Sequence, residues 1–279
     1  MRIRFWGVRG SVPVPGPATV QVGGNTPCVE VRTPDGGFLI LDAGTGIRAL
    51  GNHLLHHHAG RVIGTIFFSH THWDHIQGFP FFAPGRLRHN RFVIFGEKRI
   101  GERLEQVLQD QMRDSYLPFG FQDMEADLLV KEVQVGEAIA VGEETIVRAE
   151  PLFHPGGVFG YRIECRGRSV TYATDLGHPP DRLDARVVAL AQGTDLLIHD
   201  AQFHPHEKRA HPDWGHSSWE EAALVARGAG VRRLALFHHS PDHTDADLFE
   251  IERQARAIFA ATCLAQEGDV IDLEERGRP

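Results

Sequence analysis

His70-Thr71-His72-Trp73-Asp74-His75 is the stretch on which the reading of this chain turns. It sets four residues of metal-ligand type into six positions, directly after the apolar run Val62-Ile63-Gly64-Thr65-Ile66-Phe67-Phe68-Ser69. A short apolar run of that kind reads as a buried strand. Side chains at i and i+2 of an extended segment point the same way, so His70 and His72 can grip one ion. The chain then turns, and Asp74 and His75 can face a second ion beside the first. Imidazole plus carboxylate suits zinc, and also manganese or iron. The competing reading is a polar loop that is His-rich by chance. It is the weaker one, because such clusters rarely assemble without a metal.

Working outward, the segments before the motif are strand-rich. Arg2 to Val8, Cys28 to Arg32 and Phe38 to Leu41 read as strands separated by Pro/Gly turns, and a helix runs from about Ile47 to His57. After the motif, Phe92 to Phe95 is a strand and roughly Arg99 to Arg113 is helical. The second half starts again with strands near Leu129–Val133, Thr145–Pro151, Gly160–Cys165 and Ser169–Ala173. A loop or short helix leads to the strand Asp195–His199. Ser217-Ser218-Trp219-Glu220 has the Ser-x-x-Glu form of a capping box and predicts a helix to about Arg227. Then come a strand (Arg233 to Phe237), a helix (Asp245 to Ala260) and a last strand (Val270 to Leu273). Two similar halves of strands and helices predict two sheets packed face to face with helices outside. That is a single α/β domain over residues 1–279, with its chemistry where strand ends meet.

The bulk numbers bound the rest. The chain has 279 residues, 42% hydrophobic content and a formal charge of −8. A general nucleic-acid binder would carry a basic stripe, so the charge speaks against one. A small anion can still bind where metal ions supply positive charge. Cys28, Cys165 and Cys263 are widely and irregularly spaced, with no C-x-x-C pair, which predicts reduced cysteines in a cytoplasmic protein. Pro13, Pro15 and Pro17 interrupt any signal peptide, and no apolar run reaches the roughly 20 residues that span a bilayer. Among the 18 histidines, His56-His57-His58 reads as the end of a surface helix, without a metal role.

The motif resembles that of the metallo-β-lactamase superfamily, and the likeness runs through essentially the whole chain. Further landmarks come in the family's order: Leu41-Asp42-Ala43-Gly44-Thr45-Gly46, then His154, Asp175 and His238. The resemblance implies the αβ/βα sandwich of two mixed sheets flanked by helices. It also implies a dinuclear site. His70, His72 and His154 would hold one metal; Asp74, His75 and His238 would hold the other; Asp175 would bridge both. His239 competes with His238 for one place. Taken alone, His154 reads as a polar turn residue and Asp175 as a turn or capping residue. Asp42 reads as a supporting group rather than a ligand.

Leu197-Ile198-His199-Asp200-Ala201-Gln202-Phe203, followed by Gly215-His216-Ser217-Ser218, is similar to the ribonuclease Z and cyclic-phosphodiesterase branch. That branch usually has Glu where Asp200 stands. In it, a histidine equivalent to His216 donates a proton and the acidic residue orients it. The competing view is that His216 merely precedes a helix cap. The implied reaction is hydrolysis of a phosphodiester, with catalytic roles for Asp74, His216 and Asp200. Gly7-Val8-Arg9-Gly10-Ser11 and Gly23-Gly24-Asn25-Thr26 are glycine-rich turns whose Arg9 or Asn25 could meet an anionic substrate.

A small diester such as a cyclic nucleotide is the expected substrate. Ribonuclease Z enzymes often carry an arm that grips tRNA between the fourth metal-binding His and the bridging Asp. Here only residues 155–174 lie between His154 and Asp175, and strands fill most of them. The alternatives are a ribonuclease Z-like tRNA 3′-processing endonuclease and a lactonase or other carbonyl-ester hydrolase. The resemblance also implies a homodimer. The segment from Tyr116 to Asp127 reads equally as a flap, a dimer contact or core.

Overall fold

A computed structural model describes residues 1–57, 61–97, 103–179 and 181–273. The N-terminal half opens on three apolar strands joined by turns. β1 (Arg2–Gly7) pairs antiparallel with β2 (Cys28–Arg32), and β2 with β3 (Phe38–Leu41). α1 (Gly46–His57) then buries Ile47, Leu50 and Leu54, the three-and-four spacing of one helical face. β4 (Ile63–Phe67) returns parallel to β3. After the short α2 (Trp73–Ile76), β5 (Arg91–Glu97), α3 (Leu104–Asp110) and β6 (Asp127–Val133) extend the parallel part of the sheet.

The second half repeats the plan. β7 (Ala138–Val141), β8 (Thr145–Leu152), β9 (Val158–Cys165) and β10 (Arg168–Ala173) form an antiparallel meander. Past α4 (Ala185–Leu190), β11 (Leu196–Asp200) pairs parallel to β10. α5 (Pro205–Ala210) and α6 (Trp219–Gly228) lead to β12 (Leu234–Phe237), and α7 (Asp245–Ile258) to β13 (Thr262–Leu264), both parallel additions. β14 (Val270–Asp272) crosses back to pair with β1.

The result is the αβ/βα sandwich: two seven-stranded sheets in the orders β14-β1-β2-β3-β4-β5-β6 and β13-β12-β11-β10-β9-β8-β7. One apolar cluster joins them, running from Phe5, Val29 and Phe67 to Tyr161, Tyr172, Leu197 and Phe237. A second lies between the first sheet and its helices, around Ile40, Leu50, Phe68 and Leu108.

Topology positions the site. β10, β11 and β12 are parallel, and β8 points the same way because two antiparallel pairings separate it from β10. Their carboxyl ends therefore fall on one edge. Asp200 is the last residue of β11, and His154, Asp175 and His238 lie one or two residues past the ends of β8, β10 and β12. β4 of the facing sheet delivers His70 to the same place.

Several boundaries differ from the sequence reading. β7 and β13 were not expected, and both are short edge strands with little apolar periodicity. The capping box of α6 is Ser218 with Glu221, one residue later than Ser217 with Glu220. Ser217 is taken out of the competition by its hydroxyl bond to the Leu176 carbonyl and its amide bond to Asp200. His58 and the start of the expected helix from Arg99 lie outside the described residues. All three cysteines are free. Among the described residues, no helix is long and apolar enough to cross a membrane.

Candidate metal centre

β4 ends against a fully buried carboxylate. Asp42 accepts hydrogen bonds from the Ser69 amide (2.7 Å), the Ser69 hydroxyl (2.8 Å), the Tyr172 hydroxyl (2.7 Å) and His75 Nδ1 (2.8 Å). These bonds fix the turn that follows the strand. His70 and His72 leave it as an alternating pair with ring centroids 4.4 Å apart. The one-turn α2 then carries Asp74 and His75 round to the same side.

Two donor sets result. One atom each of His70, His72, His154 and Asp175 lie within 4.8 Å of one another, and so do one atom each of Asp74, His75, Asp175 and His238. Asp175 belongs to both. Its Oδ1 is 3.8 Å from His70 Nε2, while its Oδ2 is 3.1 Å from His75 Nε2 and 3.2 Å from His238 Nε2. Asp74 Oδ2 completes the second set at 3.1 Å from His238 Nε2 and 3.3 Å from His75 Nε2.

The tautomers fit a cation. An ionised carboxylate only accepts, so the bond to Asp42 puts the proton of neutral His75 on Nδ1. The Nε2 lone pair then faces Asp74, Asp175 and the Nε2 of His238 at 3.4 Å, all acceptors or ring nitrogens. Likewise His154 Nδ1 donates to the Gly215 carbonyl at 2.9 Å, which turns its Nε2 lone pair onto His72 Nδ1 at 3.1 Å. His70 Nε2 is buried with no hydrogen-bond partner. Such convergence of lone pairs is costly unless positive charge sits among them. Burial, with neighbouring imidazoles, pushes His70 far below the usual imidazole range, and burial with His154 brings His72 down to about 4. For Asp175, burial opposes ionisation, but His238 and His75 outweigh it and hold the carboxyl well below the carboxylate range. His75 goes the other way: against burial, the charges of Asp175, Asp74 and Asp42 raise its pKa well above the imidazole range, so it must give up its Nε2 proton when a cation takes that place. Imidazole nitrogens and carboxylate oxygens gathered this closely suit a divalent ion with nitrogen and oxygen preference.

Beside this cluster stands the Asp200–His216 pair. His216 Nδ1 donates to Asp200 Oδ2 at 2.8 Å, and the His216 ring stacks on His238 with centroids 5.1 Å apart. Asp200 Oδ1 also accepts the amides of Gln202 (3.1 Å) and Ser217 (3.0 Å), so the carboxylate is fixed. Burial alone would lower the His216 pKa; the Asp200 charge and hydrogen bond outweigh it and raise it. Nδ1 is engaged, which leaves Nε2 as the atom able to meet a substrate.

Other expected residues lie elsewhere. His239 donates from Nε2 to the Ala265 carbonyl at 2.9 Å, away from the cluster, and burial drops its pKa to about 3. The Arg9 guanidinium is fully buried, bonded to the carbonyls of Gly23 (2.8 Å), Ser240 (2.9 Å) and His243 (2.7 Å). Asn25 binds Glu267 through both its amide and its side chain. Arg9 is thus a strut between the N-terminal turns and the segment after β12, and Asn25 ties those turns to Glu267 between β13 and β14. Their glycine-rich surroundings gave no sign of that. From Tyr116 to Asp127, the segment divides. Tyr116 is exposed, whereas Phe119 packs edge-on to Phe81 and under Arg86, and Met124 and Ala126 are buried.

Gly10 and Ser11 belong to the site and were missed. The Ser11 amide donates to Asp74 Oδ2 at 2.7 Å, from a residue at φ +66°. A Cβ on Gly10 would lie 2.4 Å from the His238 ring and 2.9 Å from Gln202 Oε1. The signal available was only their place in a glycine-rich turn. Asp42, Asp175 and His238 also have positive φ, at 59°, 50° and 59°. Backbone strain of roughly 1–3 kcal/mol at such residues persists where surrounding structure enforces it, as it commonly does at functional sites.

Residues 38–239 match the family described as the β-lactamase superfamily domain. Two curated relatives are the ribonuclease Z of Limosilactobacillus fermentum, 29% identical over 78% of this chain and 83% of the relative, and that of Gemmatimonas aurantiaca, 26% identical over 97% and 95%. Among solved structures, the metallo-β-lactamase fold protein YhfI from Bacillus subtilis superposes with a TM-score of 0.73 at 18% identity, covering 97% of this chain and 98% of that one.

Proposed function

The chain is a hydrolase that belongs to the β-lactamase superfamily, and from that premise we propose that it is a dinuclear metal-dependent phosphodiesterase acting at RNA 3′ ends, as a ribonuclease Z would. The observation that carries phosphodiester chemistry is the Asp200–His216 pair set 2.8 Å apart beside the Asp175 cluster. Hydrolysis of a carbonyl ester need not use such a pair. The RNA reading takes its support from the relatives' name, and it runs against the expectation, drawn from net charge, that nucleic acid is not a partner.

His70, His72, His154 and Asp175 would hold one ion, and Asp74, His75, His238 and Asp175 the other. Two divalent cations, zinc first for this donor set and manganese or iron after it, would supply an activated water and polarise the phosphate. The protein's own part is positional and protonic. Asp42 and the Gly215 carbonyl hold the rings of His75 and His154 by their outer nitrogens. Asp200 keeps His216 charged and oriented, and His216 Nε2 gives its proton to the leaving oxygen as charge develops there.

A second reading, a small diester such as a cyclic nucleotide, is favoured by one feature. β9 and β10 are joined by Arg166-Gly167 alone, with φ of 48° and 70°, a tight hairpin turn where a tRNA-gripping arm would stand. Metal-loaded protein assayed on a pre-tRNA, a cyclic nucleotide, bis(p-nitrophenyl) phosphate and a lactone separates these. Turnover of the lactone with inert diesters would overturn the phosphodiesterase reading. Cleavage of the cyclic nucleotide with an untouched pre-tRNA would move the substrate to the small diester. His216→Ala should slow diesters with poor leaving groups far more than those with good ones.

A further inference from the structure

The chain has four tryptophans. Trp6 and Trp219 are 8% exposed, as core residues should be, but Trp73 is 58% exposed and Trp214 55%. Both exposed rings stand within two residues of a site histidine: Trp73 between His72 and Asp74, Trp214 two before His216. A third ring, Phe153, is 49% exposed and precedes His154. A large aromatic left in water forgoes the burial that ordinarily drives it inward. Three such rings stand within two residues of His72, His154 and His216 of the polar centre.

The rings are held in place. Trp214 stacks on His211 with centroids 4.2 Å apart and leans on Phe203, whose ring in turn meets His216 at 5.8 Å. Phe153 Cδ1 and Gly215 Cα each lie 3.3 Å from the point where a Cβ on Gly177 would stand, so Phe153 and the Trp214–His216 turn flank the same glycine. Trp73 is fixed by α2, between a residue of each donor set. The sequence reading used none of these rings.

We propose that Trp73, Phe153 and Trp214 form a stacking rim for the nucleobases that flank the phosphate held at the centre. This rests on the phosphodiesterase reading and narrows it to nucleoside diesters. Stacking on an aromatic face is tolerant of base identity, and its contribution acts on the base rather than on the phosphate charge. It thereby gives a chain of net charge −8 a way to hold a nucleotide that does not depend on neutralising many phosphates. An aryl or alkyl diester without a base would gain less from the rim.

Two measurements test it. Adenosine 5′-monophosphate, titrated into the metal-loaded protein, should quench tryptophan fluorescence saturably, because the two exposed rings are the ones a base can reach. Ribose 5-phosphate should not. In Trp73→Ala and in Trp214→Ala the apparent Kd, read through the remaining exposed tryptophan, should rise about tenfold, and Trp214→Phe should restore most of the affinity. In parallel, the ratio of kcat/KM for uridylyl-adenosine to that for methyl p-nitrophenyl phosphate should fall about tenfold in both alanine variants. Equal quenching by the two phosphates, or an unchanged ratio in both variants, would overturn the rim. If the wild-type protein hydrolyses neither diester, the phosphodiesterase reading fails, and the fluorescence titration alone then decides the base site.

Discussion

Asp42 Oδ2 accepts from His75 Nδ1 at 2.8 Å, and this bond fixes which nitrogen of His75 faces the cluster. The same carboxylate ties down Ser69 and Tyr172, so one buried charge organises the end of β4, the turn after it and a ring of the second sheet. Asp42→Asn keeps the shape and the tolerance of positive φ but removes the charge. Metal affinity measured by calorimetry on chelator-treated protein should fall about 10–100-fold. Tyr172→Phe, which leaves the His75 bond intact, should lose much less. Equal losses would mean that Asp42 acts through packing rather than through His75.

Gly10→Ala should damage the centre without unfolding the chain. The added Cβ meets the His238 ring at 2.4 Å, and that ring cannot retreat without leaving Asp74 and Asp175. The expected outcome is loss of one of two bound equivalents by elemental analysis, with a cooperative melting transition retained. Gly36→Ala, at φ +88° with open space around the added atom, is the control: strain of about 1 kcal/mol and full metal content. Full occupancy in Gly10→Ala would show that His238 is dispensable to the site.

Arg9 separates a strut from a substrate contact. Its guanidinium makes three hydrogen bonds to backbone carbonyls and lies 3.7 Å from the buried Asp245. Arg9→Met strands those carbonyls and leaves Asp245 without its cation, and losing one partner of a buried pair costs about 3–5 kcal/mol. Urea denaturation should show a loss of that order. A variant as stable as the wild type but with a raised KM would return Arg9 to the substrate.

His178, stacked on His199 with ring centroids 5.9 Å apart, gives the protein an acid-sensitive point. Burial, reinforced by His199, lowers its pKa to about 4, and its Nδ1 accepts the Asp184 amide at 3.1 Å. The folded value lies below the unfolded one of about 6.5, so the unfolded chain binds the proton first as pH falls. Stability from the neutral ring is complete above about pH 6.5 and declines as pH falls towards 4. At pH 5 the loss is about 2 kcal/mol. His178→Asn keeps an acceptor for the amide but cannot titrate. Its unfolding free energy should fall less between pH 7 and pH 5 than that of the wild type; equal falls would clear His178 of the effect.

How much of the site was legible depends on where each residue's signal resides. His70 to His75 form a contiguous pattern on a strand end, so residue type and spacing carried it. His154, Asp175 and His238 became readable only through resemblance, since each alone is a polar residue at a turn. The shift of the α6 cap from Ser217 to Ser218 has the same root: two serines compete, and Asp200 and Leu176, distant in sequence, decide between them. The partners of Arg9 and Asn25 were not legible, because a glycine-rich turn says nothing about which way its side chains go.

The sequence by itself determined the strand–helix alternation, the two-sheet sandwich and the chemistry of the donors, because these follow from apolar periodicity and residue type over short spans. Tertiary structure alone decided the tautomers of His75 and His154, the turning of His239 to Ala265 and the exposure of Trp73 and Trp214, while the sharing of Asp175, expected from resemblance, took its atoms and distances from the fold. Those depend on distances between atoms far apart in the chain, set by strand register and by backbone held at positive φ, and no local pattern encodes them.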